Sequence, residues 1–252
     1  MEAERTPPAG IGAELDRIEA AVESGDTDLR RLGFWRLVGL IKRDDDLIGR
    51  FANQVGRIDG EAFRARFSIR PPVWFGNALL AIVLVFGFFA FAFATWKGTP
   101  NFSFELSRPL AGLGLVAAAV AWMVGLHSST HYVVGRLAGI RFDSYFAALP
   151  PPPLPGLKTD YASYLRASPT ARAWMHASGA VATKLAPFLV LALAAGYDVG
   201  ASGWAILVLW ILGIGQIVTD VLFSTKGSDW KKVRRELAVA RARRAAGRSR
   251  LS

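Results

Sequence analysis

Residues Pro109–Gly135 read PLAGLGLVAAAVAWMVGLHSSTHYVVG, 27 residues without a charged side chain. A bilayer core of about 30 Å needs about 20 apolar residues in a helix, so this stretch is long enough to cross one. It nevertheless carries His127 and His131 near its C-terminal end. The i, i+4 spacing puts both imidazoles on one helix face, one turn apart. That is how a helix presents two nitrogen ligands to a single zinc ion. Ionisable groups are costly inside a membrane and mark functional positions there.

Three further stretches have the same character. Val73–Trp96 and Val199–Thr219 hold no charge over 24 and 21 residues, and Met175–Tyr197 contains only Lys184. The fold class expected is therefore all-α: a polytopic integral membrane helical bundle of about four spans. Before it, apolar positions at helical spacing (Leu15, Ile18, Val22; Phe34, Leu37, Val38, Ile41; Ile48, Phe51, Val55, Ile58) predict a small helical domain. Asp44-Asp45-Asp46 reads as a solvated turn and helix start, and Pro71-Pro72 as a boundary. The expected division is 1–70, a cytoplasmic helical domain; 71–226, the membrane domain; and 227–252, a basic cytoplasmic tail.

The net charge of +10 does not point to nucleic acid. Residues 1–70 hold 12 Lys/Arg and 13 Asp/Glu, and ten of the remaining basic residues follow the fourth span. Basic residues are rich before the first span, between the second and third, and after the fourth, and poor in the other two loops. That alternation predicts both termini in the cytoplasm. The tail either binds anionic headgroups or only fixes orientation. No basic-then-apolar leader opens the chain, so the first span is expected to act as an uncleaved anchor. With no cysteine, disulfide and thiolate chemistry are excluded.

In this topology the second and fourth spans run in the same direction. His131 lies five residues, about 7.5 Å of helix, before Arg136, and Asp220 six residues, about 9 Å, before Lys226. His176 opens the third span from the same side. The three histidines and the only carboxylate inside a span can therefore meet in one layer. Two His with one carboxylate form a familiar catalytic zinc set; interhelical hydrogen bonding of His131 with Asp220 is the alternative. Lys184 either pairs with Asp220 or reaches back to the interface. Gln216 reads as an interhelical hydrogen-bonding group, and Pro187 with Lys184 leaves room for a broken third span.

These residues resemble the site-2 protease family of intramembrane zinc metalloproteases, over about residues 110–230. The family's His-Glu-x-x-His stands here as His127-Ser-Ser-Thr-His131, followed by Gly135 and Gly139-Ile140-Arg141. Its Gly-Pro-x-x-Asn is matched by Gly179, with Ala180 for Pro and Thr183 for Asn. The resemblance implies zinc ligation by His127, His131 and a later Asp. Asp220 is the matching position and Asp229, in Gly227-Ser228-Asp229-Trp230, the weaker one. It also implies hydrolysis of a membrane-embedded or juxtamembrane peptide bond by zinc-activated water. Ser128 occupies the position of the general base, and loss of such a group typically costs about 10²–10⁴ in rate. His176 is the candidate substitute; Asp143 and Asp160 stand in the following loop.

That loop, Phe142–Trp174, contains Pro150–Pro153 and reads as a rigid spacer or a lid over the site. The expected partners are membrane lipids and a membrane protein, as substrate or as binding partner. The competing readings are a non-proteolytic scaffold or regulator that keeps the protease fold, and a small transporter with a polar path.

Overall fold

The computed structural model describes residues 8–99, 105–148, 154–222 and 228–249. Pro150–Pro153 and Lys226 lie outside them. The described residues form nine α-helices and one two-stranded sheet. The helices are α1 (Pro8–Glu23), α2 (Phe34–Ile41), α3 (Asp45–Arg66), α4 (Val73–Gly98), α5 (Ser107–Leu137), α6 (Tyr161–Arg166), α7 (Pro169–Gly196), α8 (Gly203–Leu222) and α9 (Asp229–Ser249). The strands are β1 (Phe142–Ala148) and β2 (Leu154–Thr159). Four helices, α4, α5, α7 and α8, are long and apolar enough to cross a membrane. The chain is thus mostly helical, as expected, and the hairpin is an addition to the all-α reading.

The chain forms two compact units, and they interleave in sequence. The first comprises residues 1–73, 135–172 and 235–252; the second comprises 74–134 and 173–234. The three consecutive segments expected from composition are therefore redrawn: the loop after α5 and most of the basic tail belong to the same unit as the N-terminal helices.

In the first unit, the apolar stripes of α1, α2 and α3 bury Leu15, Ile18, Val22, Phe34, Leu37, Val38, Ile41, Ile48, Val55 and Ile58 in one core with Leu165. Gly25, at φ 101°, takes the left-handed conformation that closes α1. The acidic triplet starts α3, where Asp44 accepts hydrogen bonds from the amides of Asp46 (2.9 Å) and Leu47 (3.3 Å). The segment read as a spacer is a hairpin: β1 pairs antiparallel with β2, with an irregularity between Phe142 and Ser144. Tyr145 N–H donates to the carbonyl of Pro71 at 2.9 Å, which extends the pairing to the residue before α4. Lys158 on β2 forms an ion pair with Asp59 of α3, and Phe146 packs edge-on to Phe63 at 5.1 Å.

The first unit also contains a buried charged cluster. Arg172 is fully buried and donates to Glu236 at 2.7 Å, and Lys42 donates to the other carboxylate oxygen at 2.7 Å. The Tyr164 hydroxyl donates to Glu236 at 3.0 Å. Burial works against both charges of the Lys42–Glu236 pair. At Glu236 two cations outweigh it and hold the carboxyl below its ordinary range. At Lys42 burial prevails over a carboxylate shared with Arg172, and the ammonium is pushed down.

In the second unit, α4, α5, α7 and α8 pack through small residues. Ala90, Ala94, Leu115, Ala118, Ala119, Trp122, Ala186, Val190 and Leu209 form its core. Gly114 lets α5 approach α4: a Cβ there would stand 2.8 Å from the Ala90 carbonyl oxygen. Large side chains point outward instead, among them Trp74, Phe86, Phe88, Phe89 and Trp96 of α4. Apolar faces of this kind are what acyl chains solvate, with Trp at the ends of the span. α7 runs unbroken through Pro187.

Candidate metal centre

His127 and His131 leave α5 on one face, with ring centroids 4.7 Å apart. Each ring is fixed from behind by a group on α7. His131 Nδ1 lies 2.6 Å from the carbonyl oxygen of Met175. A carbonyl only accepts, so Nδ1 carries the proton. His127 Nδ1 lies 2.9 Å from Thr183 Oγ1, whose own hydrogen goes to the Gly179 carbonyl at 2.8 Å. Thr183 therefore accepts from His127. Both rings thus turn Nε2 to the same side, where it donates to a carboxylate when it carries a proton and can ligate a metal when it does not.

Both Nε2 atoms meet Asp229, the first residue of α9. Its Oδ2 stands 3.2 Å from His131 Nε2 and 3.7 Å from His127 Nε2. These three groups offer ligand atoms within 4.8 Å of one another and could hold a metal ion. The orienting bonds to Met175 and Thr183 are those expected behind metal-ligating imidazoles. The other oxygen, Oδ1, accepts from Lys232 at 3.0 Å and lies 3.9 Å from His176 Nδ1. Burial opposes ionisation of Asp229, but the His131 hydrogen bond and the Lys232 charge outweigh it and hold the carboxyl well below its usual range. The carboxylate is thus in the ligating form. Two imidazoles and one carboxylate fit a zinc ion with an open fourth position.

Gly179, one match to the family pattern, has a direct role in this geometry. A Cβ there would stand 2.6 Å from two carbons of the His131 ring, so only glycine lets the ring lie against α7.

The carboxylate beside the histidines is Asp229, and not Asp220 as the depth argument expects. Asp220 is held by Lys184 in an ion pair, the alternative that the sequence also offered. In a low-dielectric span that pairing answers two charges at once. Gln216 serves packing: it donates to its own helix at Leu212 (2.8 Å) and reaches Met123 Sδ on α5 at 3.7 Å. Ser128 is buried, one position round the helix from His127. His176 comes close, with its ring centroid 6.3 Å from that of His131.

Among the described residues of this unit the other carboxylates are distant or engaged. Glu105 precedes His127, and Asp198 follows His176, by 22 residues each, about 33 Å along a helix. Of the loop carboxylates, Asp160 belongs to the first unit, where it caps α6 and binds Arg141 at 2.7 Å; Asp143 stands exposed on β1 of that unit. Sequence reasoning did not single out Lys232 or the Met175 carbonyl. Lys232, three residues after Asp229 on a basic helix, carried no signal separating it from its neighbours.

No protein-family model, curated protein or solved structure matches this chain.

Proposed function

We propose that this is an integral membrane protein with a site-2-protease-like core and both termini in the cytoplasm. In this reading it holds one zinc ion through His127, His131 and Asp229. One observation carries the proposal: two imidazole Nε2 atoms, each ring fixed by a hydrogen bond that it donates to α7, face a single carboxylate oxygen. A zinc ion held there supplies Lewis acidity. The chain's own residues orient the imidazoles (Met175, Thr183), keep Asp229 ionised (Lys232) and leave room for the His131 ring (Gly179).

The same site supports a non-proteolytic role, as a membrane scaffold or regulator. Peptide hydrolysis by the family's route needs a proton carrier beside the metal, and Ser128 cannot take a proton near neutral pH. A second reading, a slow metallopeptidase acting on membrane-embedded peptide, has His176 as its proton carrier. The 3.9 Å between His176 Nδ1 and Asp229 Oδ1 favours it as the remaining imidazole at the cluster.

The test is zinc content after purification in detergent, wild type beside His127→Ala/His131→Ala. The expected result is near-stoichiometric zinc in the wild type and loss in the double variant. Wild-type protein that folds, yet neither retains nor takes up zinc, sinks the proposal. Cleavage of a transmembrane peptide by the wild type, abolished by His176→Gln, would establish the second reading over the first. Cleavage gained only in Ser128→Glu would establish the first.

A further inference from the structure

α9 divides its charge between two sides. Glu236 binds Lys42 and Arg172, and Arg243, seven residues on, binds Asp45 and the carbonyl of Lys42. Arg234, Leu237, Arg241 and Arg244 follow the spacing i, i+3, i+7, i+10, which gathers them on one side of the helix, away from Glu236 and Arg243. All four are exposed. Among the described residues, Arg234, Arg241 and Arg244 form no ion pair. Both acids of α9 are engaged elsewhere, Asp229 by His131 and Lys232 and Glu236 by Lys42 and Arg172. The other exposed positions from 234 to 245 are Arg235, Ala238, Ala242 and Ala245, so this surface holds only arginine, alanine and one leucine. A helix face that water alone covers usually mixes both signs, since like charges three or four residues apart repel. Arg241 and Arg244 are such a pair.

We propose that this arginine face docks on the anionic headgroups of the membrane that the chain itself spans. A guanidinium fork matches the oxygens of a phosphate two at a time. α9 begins at the membrane helices: Asp229 lies 3.2 Å from His131, six residues before the end of α5, which is long and apolar enough to cross a bilayer. The chain thus holds α9 beside the headgroups, whereas a soluble acidic partner has to arrive by diffusion. Leu237, 41% exposed, is the one large apolar side chain on the face, so the contact is electrostatic and stays at headgroup level. Near an anionic leaflet each arginine favours contact by about fivefold, and three together by about 100-fold. Docking of this kind requires the four spans and is independent of the metal site.

The chain has no cysteine, so Ala238→Cys, exposed and one turn from both Arg234 and Arg241, gives a single site for a polarity-sensitive fluorophore. The full chain with this label is placed in nanodiscs of phosphatidylcholine, alone or with phosphatidylglycerol. Phosphatidylglycerol is expected to shift the emission to the blue. Salt at about 1 M, where charges are screened beyond about 3 Å, should reverse the shift. Arg234→Gln/Arg241→Gln/Arg244→Gln should weaken the contact about 100-fold and abolish the shift. Arg17→Gln/Arg30→Gln/Arg50→Gln, which removes the same charge from exposed positions of the first unit, should keep it. If the α9 variant fails to fold, salt reversal in the otherwise unsubstituted chain reads the same contact. Equal emission in both lipids, a shift that survives the α9 substitutions, or one that survives salt would each overturn the proposal. A shift on adding polyglutamate, with none from phosphatidylglycerol, would overturn it in favour of an acidic protein.

Discussion

Arg172→Ala is expected to destabilise the first unit by about 2–6 kcal/mol, at about 1–3 kcal/mol for each of two carbonyls left without this donor. Arg172 is fully buried and holds Glu236 at 2.7 Å. Its Nη1 also donates to the carbonyls of Leu165 (2.9 Å) and Ala167 (3.0 Å), which close α6. Removing the guanidinium therefore leaves two carbonyls without this donor and leaves the Glu236 carboxylate with Lys42 as its remaining cation. Arg172→Lys should recover little, because one ammonium cannot reach both sets of acceptors. Lys42→Met/Arg172→Met/Glu236→Leu should be milder than Glu236→Leu alone, which leaves two buried cations without their carboxylate, because no unpaired charge stays buried. The readout is the unfolding midpoint in detergent; a triple variant no more stable than Glu236→Leu would contradict the account. The cluster also sets a pH dependence. Glu236 is depressed in the folded chain, so its contribution is fully present above the ordinary glutamate value of 4.5 and is lost as pH falls below it. The midpoint should decline on acidification in the wild type and decline less in the apolar triple variant.

Gly179→Ala should weaken zinc binding by about 10–100-fold, the usual effect of disturbing the groups that orient a metal ligand. The added methyl occupies the space of the His131 ring. The ring must then leave the Met175 carbonyl, and its Nε2 leaves Asp229. Gly215, on α8, has nothing within 4 Å of an added Cβ, so Gly215→Ala is the matched control and should bind zinc like the wild type. Competition of each variant against a chromophoric chelator reads the affinity directly. Equal affinity in Gly179→Ala and wild type would show that the His131 position does not govern the site.

Much of this architecture was legible in the sequence because it rests on composition and period. Four stretches of apolar residues became α4, α5, α7 and α8, and the stripes through Leu15, Phe34 and Ile48 became the core of the first unit. The i, i+4 histidines lie on one face of α5 because helical geometry leaves no other outcome. The third carboxylate was legible only as a choice between two, with Asp229 the weaker candidate. Depth counted along straight helices favoured Asp220, but such counting cannot see that Lys184 occupies that carboxylate. Nor can it see that Asp229, nine residues further on, begins a helix whose first turn reaches the histidines. The hairpin was missed for a different reason. Phe142-Asp-Ser-Tyr145-Phe has the aromatic content of a strand, but the prolines that follow drew the reading toward an extended spacer. The interleaving of the two units rests on the long-range bonds of Glu236 and Arg243 to residues near position 42, which no local pattern announces.

The central claim is that Asp229, with His127 and His131, completes one metal site. The measurement that tests it most directly is the zinc-to-protein ratio of Asp229→Asn beside Asp220→Asn, each purified and loaded as the wild type is. The account predicts that Asp220→Asn keeps the wild-type ratio and Asp229→Asn loses it. Zinc retained in Asp229→Asn and lost in Asp220→Asn would contradict it, and would return the third ligand to α8.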